Sequence, residues 1–518
     1  MYPRTHALAH PDKPAVIMET GARVTYAELE ERSTRLARLL RERGLRPGDQ
    51  VSIWAENHPR YYEVYWAAMR SGLYVTGVNR HATAEEAAYI LTDSGTRALI
   101  TSAAMGERAE ALRALVPGCA TWLAFDGPVA GHESYEEALA GQSAAPLADE
   151  PRGEVMLYSS GTTGRPKGIK RPLSGLRVDD PAATRTSAIT GPLMGMGADS
   201  VYLMPAPLYH AAALQFSVAT QELGGTVVAM ERFDAERFLA LVEEHRVTHT
   251  QVVPTMMVRM LKLPAEVRER HDTSSLRSFM HAAAPCPPEI KRRTIEWLGP
   301  IVVEYYGASE GNGMTFIDSA QWLEHPGSVG RPVLGSIHIC DEAGRELPVG
   351  EPGIVYFERD KTPFEYHNAA EKTRGSRHPE HPTWSAIGDL GFLDEDGYLH
   401  LTDRVGFTII SGGVNIYPAE VEACLVVHPA VADVAVFGLP DEEMGEYVHA
   451  VVEPVDPAAA GPDLAQELRD HVRAHLAGFK VPRVVEFAEV PRLATGKVQT
   501  GRMRQERIER VTRAAAPA

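Results

Sequence analysis

The chain has 518 residues, 44% apolar and 23% charged, enough to bury a large core and too many for one ordinary domain. Its 52 basic and 69 acidic residues give a net charge of −17, a field that disfavours nucleic acid and anionic membrane surfaces, so any polyanionic ligand must be held by local cations. The four cysteines, Cys119, Cys286, Cys340 and Cys424, lie far apart without a CxxC pair, which argues against a disulfide framework or structural zinc and for a reducing, cytoplasmic setting.

The first residues carry no basic cap before a long apolar run, and no apolar stretch reaches the roughly 18 residues a bilayer span needs, so neither export nor integral membrane association is expected. A strand is predicted at 14–18, and Thr25 with Glu28 forms a capping box before a helix carrying Leu29, Leu36, Leu39 and Leu40. A strand follows at 51–54, a second cap signal at Thr83 and Glu86, and a strand at 97–101. Further strands are expected at 226–229, 247–253, 278–281 and 301–304, with helices at 234–245 and 288–297. This alternation predicts parallel α/β structure. The last stretch reads differently: helix 418–428, strands 431–438 and 448–455, a loop at 456–463, helix 464–476, strand 484–487 and a terminal helix. The fold class is therefore α/β, with a large multi-subdomain N-terminal domain at 1–403 and a small α+β domain at 404–518, the boundary falling near DRVGF.

The segment LYSSGTTGRPKGI, residues 157–169, packs three glycines, four serine and threonine hydroxyls and Lys167 between apolar flanks. Glycines let successive backbone N–H groups turn inward around an oligophosphate, hydroxyls add donors, and Lys167 supplies charge. Pro166 occupies the place where a Walker A loop needs glycine, which weakens a kinase or motor reading. A plain Gly/Ser surface loop is the alternative for such a run in isolation.

The order SSGTTGRPKG resembles the signature loop of the adenylate-forming superfamily of acyl-CoA synthetases, carrier-protein adenylation domains and luciferases. Further segments agree in the same order across nearly the whole chain. PLYHAAA (207–213) resembles the family's acyl-pocket segment, HAAAPCP (281–287) its adenine turn and EYYGASEG (304–311) its adenine and magnesium segment. IGDLGFLDEDGYLHLTDR (387–404) resembles its ribose-binding stretch, SGGVNIYPAEVE (411–422) the start of its mobile small domain, and PRLATGKV (491–498) its catalytic lysine loop.

The resemblance implies a role for each matching residue. ATP and AMP would meet Ser159, Ser160, Gly161, Thr163, Gly164, Lys167, Ala283, Glu304, Tyr305, Tyr306, Gly307 and Ser309. Asp389 would accept both ribose hydroxyls, with Arg404 beside it; a turn aspartate and an exposed salt-bridge arginine are the plainer readings. Tyr305 and Tyr306 would stack on adenine or else serve as packing residues. Glu310, with Thr162, would hold Mg²⁺, a hard cation that prefers oxygen ligands. His210 would orient the substrate carboxylate, and His210, Ala211, Ala282 and Gly307 would line the acyl pocket; a structural histidine is the alternative. Lys497 is the leading catalytic residue, its charge placed at the α-phosphate, whereas a lone lysine is more often a solvated surface group.

Two half-reactions follow from the resemblance: carboxylate plus MgATP gives acyl-AMP and pyrophosphate, then the thiol of coenzyme A displaces AMP. The acid is already ionised at neutral pH, so positioning outweighs acid–base chemistry. One rigid arrangement serves both steps poorly. The small domain is expected to swivel about Gly406, bringing Lys497 in first and the loop Ser411, Gly412, Gly413 towards coenzyme A second. Free coenzyme A is the default acceptor, bound near Lys480, Arg483 or the terminal basic helix, with a carrier protein acting in trans as the alternative. The acid is read as fatty or otherwise bulky and hydrophobic, an aryl acid being kept open, and a homodimer is compatible with the sequence.

Overall fold

Two helix starts rest on reciprocal caps. Thr25 accepts from the Glu28 amide while the Glu28 carboxylate takes the Thr25 amide, and the same box joins Thr83 to Glu86. The helices that follow, Tyr26–Glu42 and Ala84–Ser94, bury Leu29, Leu36, Leu40, Ile90 and Leu91 on one face each. The structure, a computed structural model, describes residues 2–159, 166–184, 186–404, 407–412, 414–441, 443–492 and 498–515.

Two large sheets dominate residues up to about 335. The first runs in space through Arg331–Leu334, Met314–Ile317, Val302–Gly307, Ser278–His281, His249–Val252, Val201–Met204, Thr226–Ala229, Pro14–Met18 and Arg23–Thr25. Its middle strands, from Val302–Gly307 to Pro14–Met18, are parallel, and antiparallel strands close both edges. The second is wholly parallel: Glu133–Ser134, Thr121–Phe125, Thr96–Ser102, Gln50–Trp54, Tyr74–Val78 and Glu154–Val155. One apolar cluster joins them through Tyr26, Tyr62, Trp66 and Phe216. Buried polar tips in this layer find partners, as in Trp66 Nε1 to Gln221 Oε1 at 2.7 Å and the Tyr26 hydroxyl to the Gly225 carbonyl at 2.7 Å.

The expected parallel pattern does not extend through residues 336–404. There Ser336–Cys340, Gly353–Glu358, Trp384–Leu393 and Leu399–Arg404 form an antiparallel sheet, and Glu365–Tyr366 joins the earlier strands Leu157–Ser159 and Lys167–Lys170 in a small antiparallel one. These strands are irregularly buried, so they lack the continuous apolar runs that mark the parallel strands.

A smaller α+β unit follows. Its sheet contains Val414–Ile416, Ile409–Ser411, Gly445–Pro454, Val431–Asp441 and Val484–Phe487, covered by helices Pro418–Val426, Pro462–His475 and Thr500–Ala515. Ile409, Val421, Val434, Val452 and Leu468 make its own core. The hairpin of Ile409–Ser411 and Val414–Ile416 was not among the expected strands, and the expected loop at 456–463 contains a short turn of 3₁₀ helix, Pro457–Ala459. Val426 and Val427 pack on the large core, and Lys262 Nζ donates to the Val431 carbonyl across the seam. Among the described residues no helix is long and apolar enough to cross a membrane.

Candidate active site

A cleft of about 2480 Å³ opens beyond the carboxyl ends of the central parallel strands, where Val253, Ala282 and Gly307 meet the antiparallel sheet and helix Pro418–Val426. Ligands of open α/β sheets gather at this end, because the strands stop there and leave their loops free to converge.

One end is organised by a carboxylate. Asp389 and Arg404 are cross-strand partners in the antiparallel sheet. Arg404 Nε donates to Asp389 Oδ1 at 2.6 Å, and the Tyr306 hydroxyl donates to Oδ2 at 2.5 Å. Asp389 is 5% exposed and lines the cleft, and with one directed bond on each oxygen its carboxylate keeps further acceptor capacity. Burial and the Asp389 charge hold the Tyr306 phenol well above its usual range, and it stays a donor. The turn after Ser278–His281 places Ala283 at φ +73°, a left-handed conformation uncommon for a residue with a Cβ, and Gly307 ends its strand beside it. A small residue in a strained turn lets backbone approach a ligand closely.

The second cluster carries charge. Lys167 is the cross-strand partner of Ser159, so the two ends of the glycine-rich segment are pinned side by side. Its pKa is lowered by burial and by the neighbouring Lys372 cation. The Lys167 ammonium lies 5.6 Å from the centroid of the Tyr366 ring, whose hydroxyl donates to Glu310 Oε1 at 2.8 Å. Two adjacent ammonium groups repel unless an anion lies between or beside them, so this corner is suited to phosphate. Arg171 Nη2 donates to the Ser309 carbonyl at 2.7 Å and braces the turn that presents Glu310. Tyr366 and Lys372 were absent from the sequence reading of the site. Their one signal was the segment FEYHNAAEKT, and only folding brings it against residues 167 and 310.

The third wall is apolar. His210 precedes helix Ala211–Glu222, its ring 4.1 Å from that of Tyr209, and burial pushes its pKa down to about 3. It is a neutral imidazole at any physiological pH, and its Nε2 is shielded without a protein partner. Ala211, Ala282, Phe216 and Met314 continue this wall. Tyr305 packs on Phe216 at 5.6 Å between ring centroids, so the tyrosine pair divides: Tyr306 reaches Asp389, while Tyr305 joins the apolar wall. The strand's alternation causes this, since neighbouring side chains leave opposite faces.

Glu304 differs from its expected use. It is 5% exposed and takes Lys291 Nζ at 2.7 Å, with His281 Nε2 at 3.6 Å, so its carboxylate is occupied by the protein. Ser411 and Gly412 are not brought into the cleft: Ser411 pairs with Gly445, and Gly412, at φ +58°, donates its amide to the Met444 carbonyl. A Cβ at Gly412 would sit 2.4 Å from the Met444 methyl carbon. Arg492, Val498, Gln499 and Thr500, which flank position 497, do line it. Lys480 and Arg483 are paired with Glu420 and Asp441, and Arg504 and Arg507 with Glu446 and Glu486, so these cations are already engaged. Ser160, Gly161, Thr162, Thr163, Gly164, Gly406, Gly413 and Lys497 lie outside the described residues.

Comparison with known proteins bears on this cleft. A family profile described as AMP-binding enzyme matches residues 4–363, and one described as AMP-binding enzyme C-terminal domain matches residues 420–497. A feruloyl-CoA synthase of Amycolatopsis sp is 34% identical over 94% of this chain and 94% of its own. A fatty acid–[acyl-carrier-protein] ligase of Streptomyces coeruleorubidus is 32% identical over 95% of this chain and 93% of its own. Among solved structures, an amide bond synthetase from Marinactinospora thermotolerans is 29% identical with a TM-score of 0.82, covering 97% of this chain and 99% of that one.

Proposed function

This chain belongs to the AMP-binding enzyme family and is an ATP-dependent, AMP-forming acid–thiol ligase of the acyl-CoA synthetase type, and we propose that its acid is bulky and largely apolar, and that the cleft works as follows. Asp389 receives the ribose hydroxyls on its remaining lone pairs, with Tyr306 and Arg404 fixing the carboxylate. The turn at Ala283 and Gly307 lies against adenine. Lys167 and Lys372 face the phosphates, together with the hydroxyls and amides of residues 159–164.

Glu310 fits a magnesium ligand. Tyr366 occupies one of its oxygens and leaves the other for a hard cation, which typically takes one or two carboxylates together with phosphate oxygens. Thr162 is proposed as the neighbouring ligand. Bound there, Mg²⁺ would offset charge on the phosphates.

His210, neutral and with Nε2 lacking a protein partner, donates a hydrogen bond to the substrate carboxylate and turns it towards the α-phosphate. The carboxylate needs no base. Lys497 then stabilises the charge that builds as pyrophosphate leaves. The observation carrying this reading is that one cleft joins the Asp389 cluster, the Lys167–Glu310 cluster and the His210 wall, with residues on both sides of position 497 at its edge.

For thioester formation, we assign the swivel to Gly406 within a domain boundary near residue 404, and Ser411, Gly412 and Gly413 to the second arrangement. The exposed apolar side chains around that hairpin, Ile410, Val414 and Met444, support a surface that is covered in another orientation. Coenzyme A is the acceptor, and a carrier protein in trans is the second reading, favoured by the fatty acid–[acyl-carrier-protein] ligase relative. Four free cysteines suit a reducing cytoplasm.

The test is pyrophosphate release and acyl-CoA mass spectrometry with acetate, medium- and long-chain fatty acids and hydroxycinnamic acids, with and without coenzyme A. Release and acyl-CoA with the bulky acids supports the reading. Release without any CoA thioester would move the acceptor to a carrier protein, and acetate as best substrate would overturn the acid assignment.

A further inference from the structure

Away from the cleft, the small unit gathers soft metal-ligand side chains between two helices. His471 and His475 are four residues apart and share a face of helix Pro462–His475, and Cys424 stands opposite on helix Pro418–Val426. One ligand atom from each of the three lies within 4.8 Å of the other two. Each histidine has one ring nitrogen committed to a backbone carbonyl, as metal-binding imidazoles usually do. His471 Nε2 pairs with the Cys424 carbonyl at 3.1 Å, and His475 Nδ1 with the His471 carbonyl at 2.8 Å. Each ring therefore has its tautomer fixed and its second nitrogen left with a lone pair. His428, whose ring is 5.0 Å from that of His471, is held by Glu467 at 3.3 Å and stays outside the triad.

We propose that Cys424, His471 and His475 form a binding site for a borderline-soft divalent cation of the zinc class, distinct from the magnesium that accompanies ATP. The donor set decides the class. One sulfur and two imidazole nitrogens suit zinc, whereas magnesium and calcium take oxygen, and the triad offers none. Three protein ligands leave a fourth, solvent-facing position, and His475 is exposed, so the ion has a path in. Binding requires the thiolate, so the Cys424 proton is released to solvent as the sulfur–metal bond forms. The ion would tie helix Pro462–His475 to helix Pro418–Val426, whose other face, through Ala419, Glu422 and Ala423, lines the cleft.

The test is titration of the chelator-treated full chain with Co²⁺ followed by Zn²⁺, read by absorption and by thermal melting. One equivalent of Co²⁺ should give a tetrahedral spectrum with a thiolate-to-metal charge-transfer band, Zn²⁺ should displace it and raise the melting temperature, and Mg²⁺ should do neither. Cys424→Ser should remove the charge-transfer band, and His475→Ala should weaken affinity by about 10–100-fold or more. Both variants should keep the parent's adenylation rate, which establishes that they fold. Absence of a saturable site, or a band that survives Cys424→Ser or is lost in Cys286→Ser, would overturn the proposal.

Discussion

Asp389→Asn removes one charge and almost no volume at the point where two strands of the antiparallel sheet meet the cleft. Both carboxylate oxygens now accept, from Arg404 Nε at 2.6 Å and from the Tyr306 hydroxyl at 2.5 Å. An asparagine keeps its carbonyl for Arg404 and turns its amide to Tyr306, whose hydroxyl can accept, so the local fold should tolerate the change. The ribose then loses an ionic acceptor. A hydrogen bond to a charged group contributes about 1.5–3 kcal/mol, which corresponds to a roughly 10- to 150-fold rise in KM for ATP. The assay is acid-dependent ATP–pyrophosphate exchange with ATP varied at saturating acid, and acid varied at saturating ATP. The KM for the acid should move by less than about threefold, because the His210 wall is untouched. An unchanged KM for ATP, or an equal rise for both substrates, would refute the assignment of this carboxylate to the ribose.

Other outcomes follow from the same geometry. Lys372→Ala removes one of two adjacent cations, so KM for ATP should rise about fivefold, near 1 kcal/mol, and the salt dependence of KM should flatten. Glu422 sits among Asp433 and Asp403, and burial first and those charges second push its pKa up to about 7. A raised carboxyl pKa means the folded state holds the proton more tightly. The resulting stability is present at low pH and is lost as pH rises from the ordinary carboxylate range through 7. Glu422→Gln, which keeps the acceptor for the Val436 amide, should therefore melt higher than the parent at pH of about 8 and no higher at about 4. Equal shifts at both would refute it. Gly406→Pro should leave acyl-AMP formation within about threefold while slowing thioester formation by tenfold or more, as rapid-quench analysis of the two half-reactions would reveal; equal losses would remove the hinge role.

Much of this was legible in the residue order. The capping boxes at Thr25 and Thr83 and the strand at 278–281 follow from local chemistry, because a hydroxyl followed three residues later by a glutamate, or a short apolar run, carries its meaning within one element. Asp389 and Arg404 were read from one stretch of chain because the antiparallel strands that pair them are nearly contiguous. Contacts across long separations were not legible. Tyr366 meets Glu310 from 56 positions away, and Lys372 reaches Lys167 from the short helix Ala370–Gly375, with no periodicity to announce either. Glu304 was assigned to the nucleotide because it stands in EYYGASEG, yet Lys291 holds it. That lysine lies on the buried side of helix Pro288–Leu298, where a charged residue is expected only if paired. Lys480 and Arg483 looked like a coenzyme A patch for the opposite reason, since Glu420 and Asp441, 60 and 42 positions away, come beside them only on folding.

The decisive measurement concerns Lys497→Ala, assayed separately for acyl-AMP formation, for ATP binding and for thioester formation from supplied acyl-AMP and coenzyme A. Adenylation should fall by about 10²–10³-fold, as when one preorganised donor to a developing charge is removed, while ATP affinity and the second half-reaction stay within about threefold. Adenylation that proceeds at the parent rate, or that falls in step with thioester formation, would contradict a lysine carried in by the small domain for the first step alone.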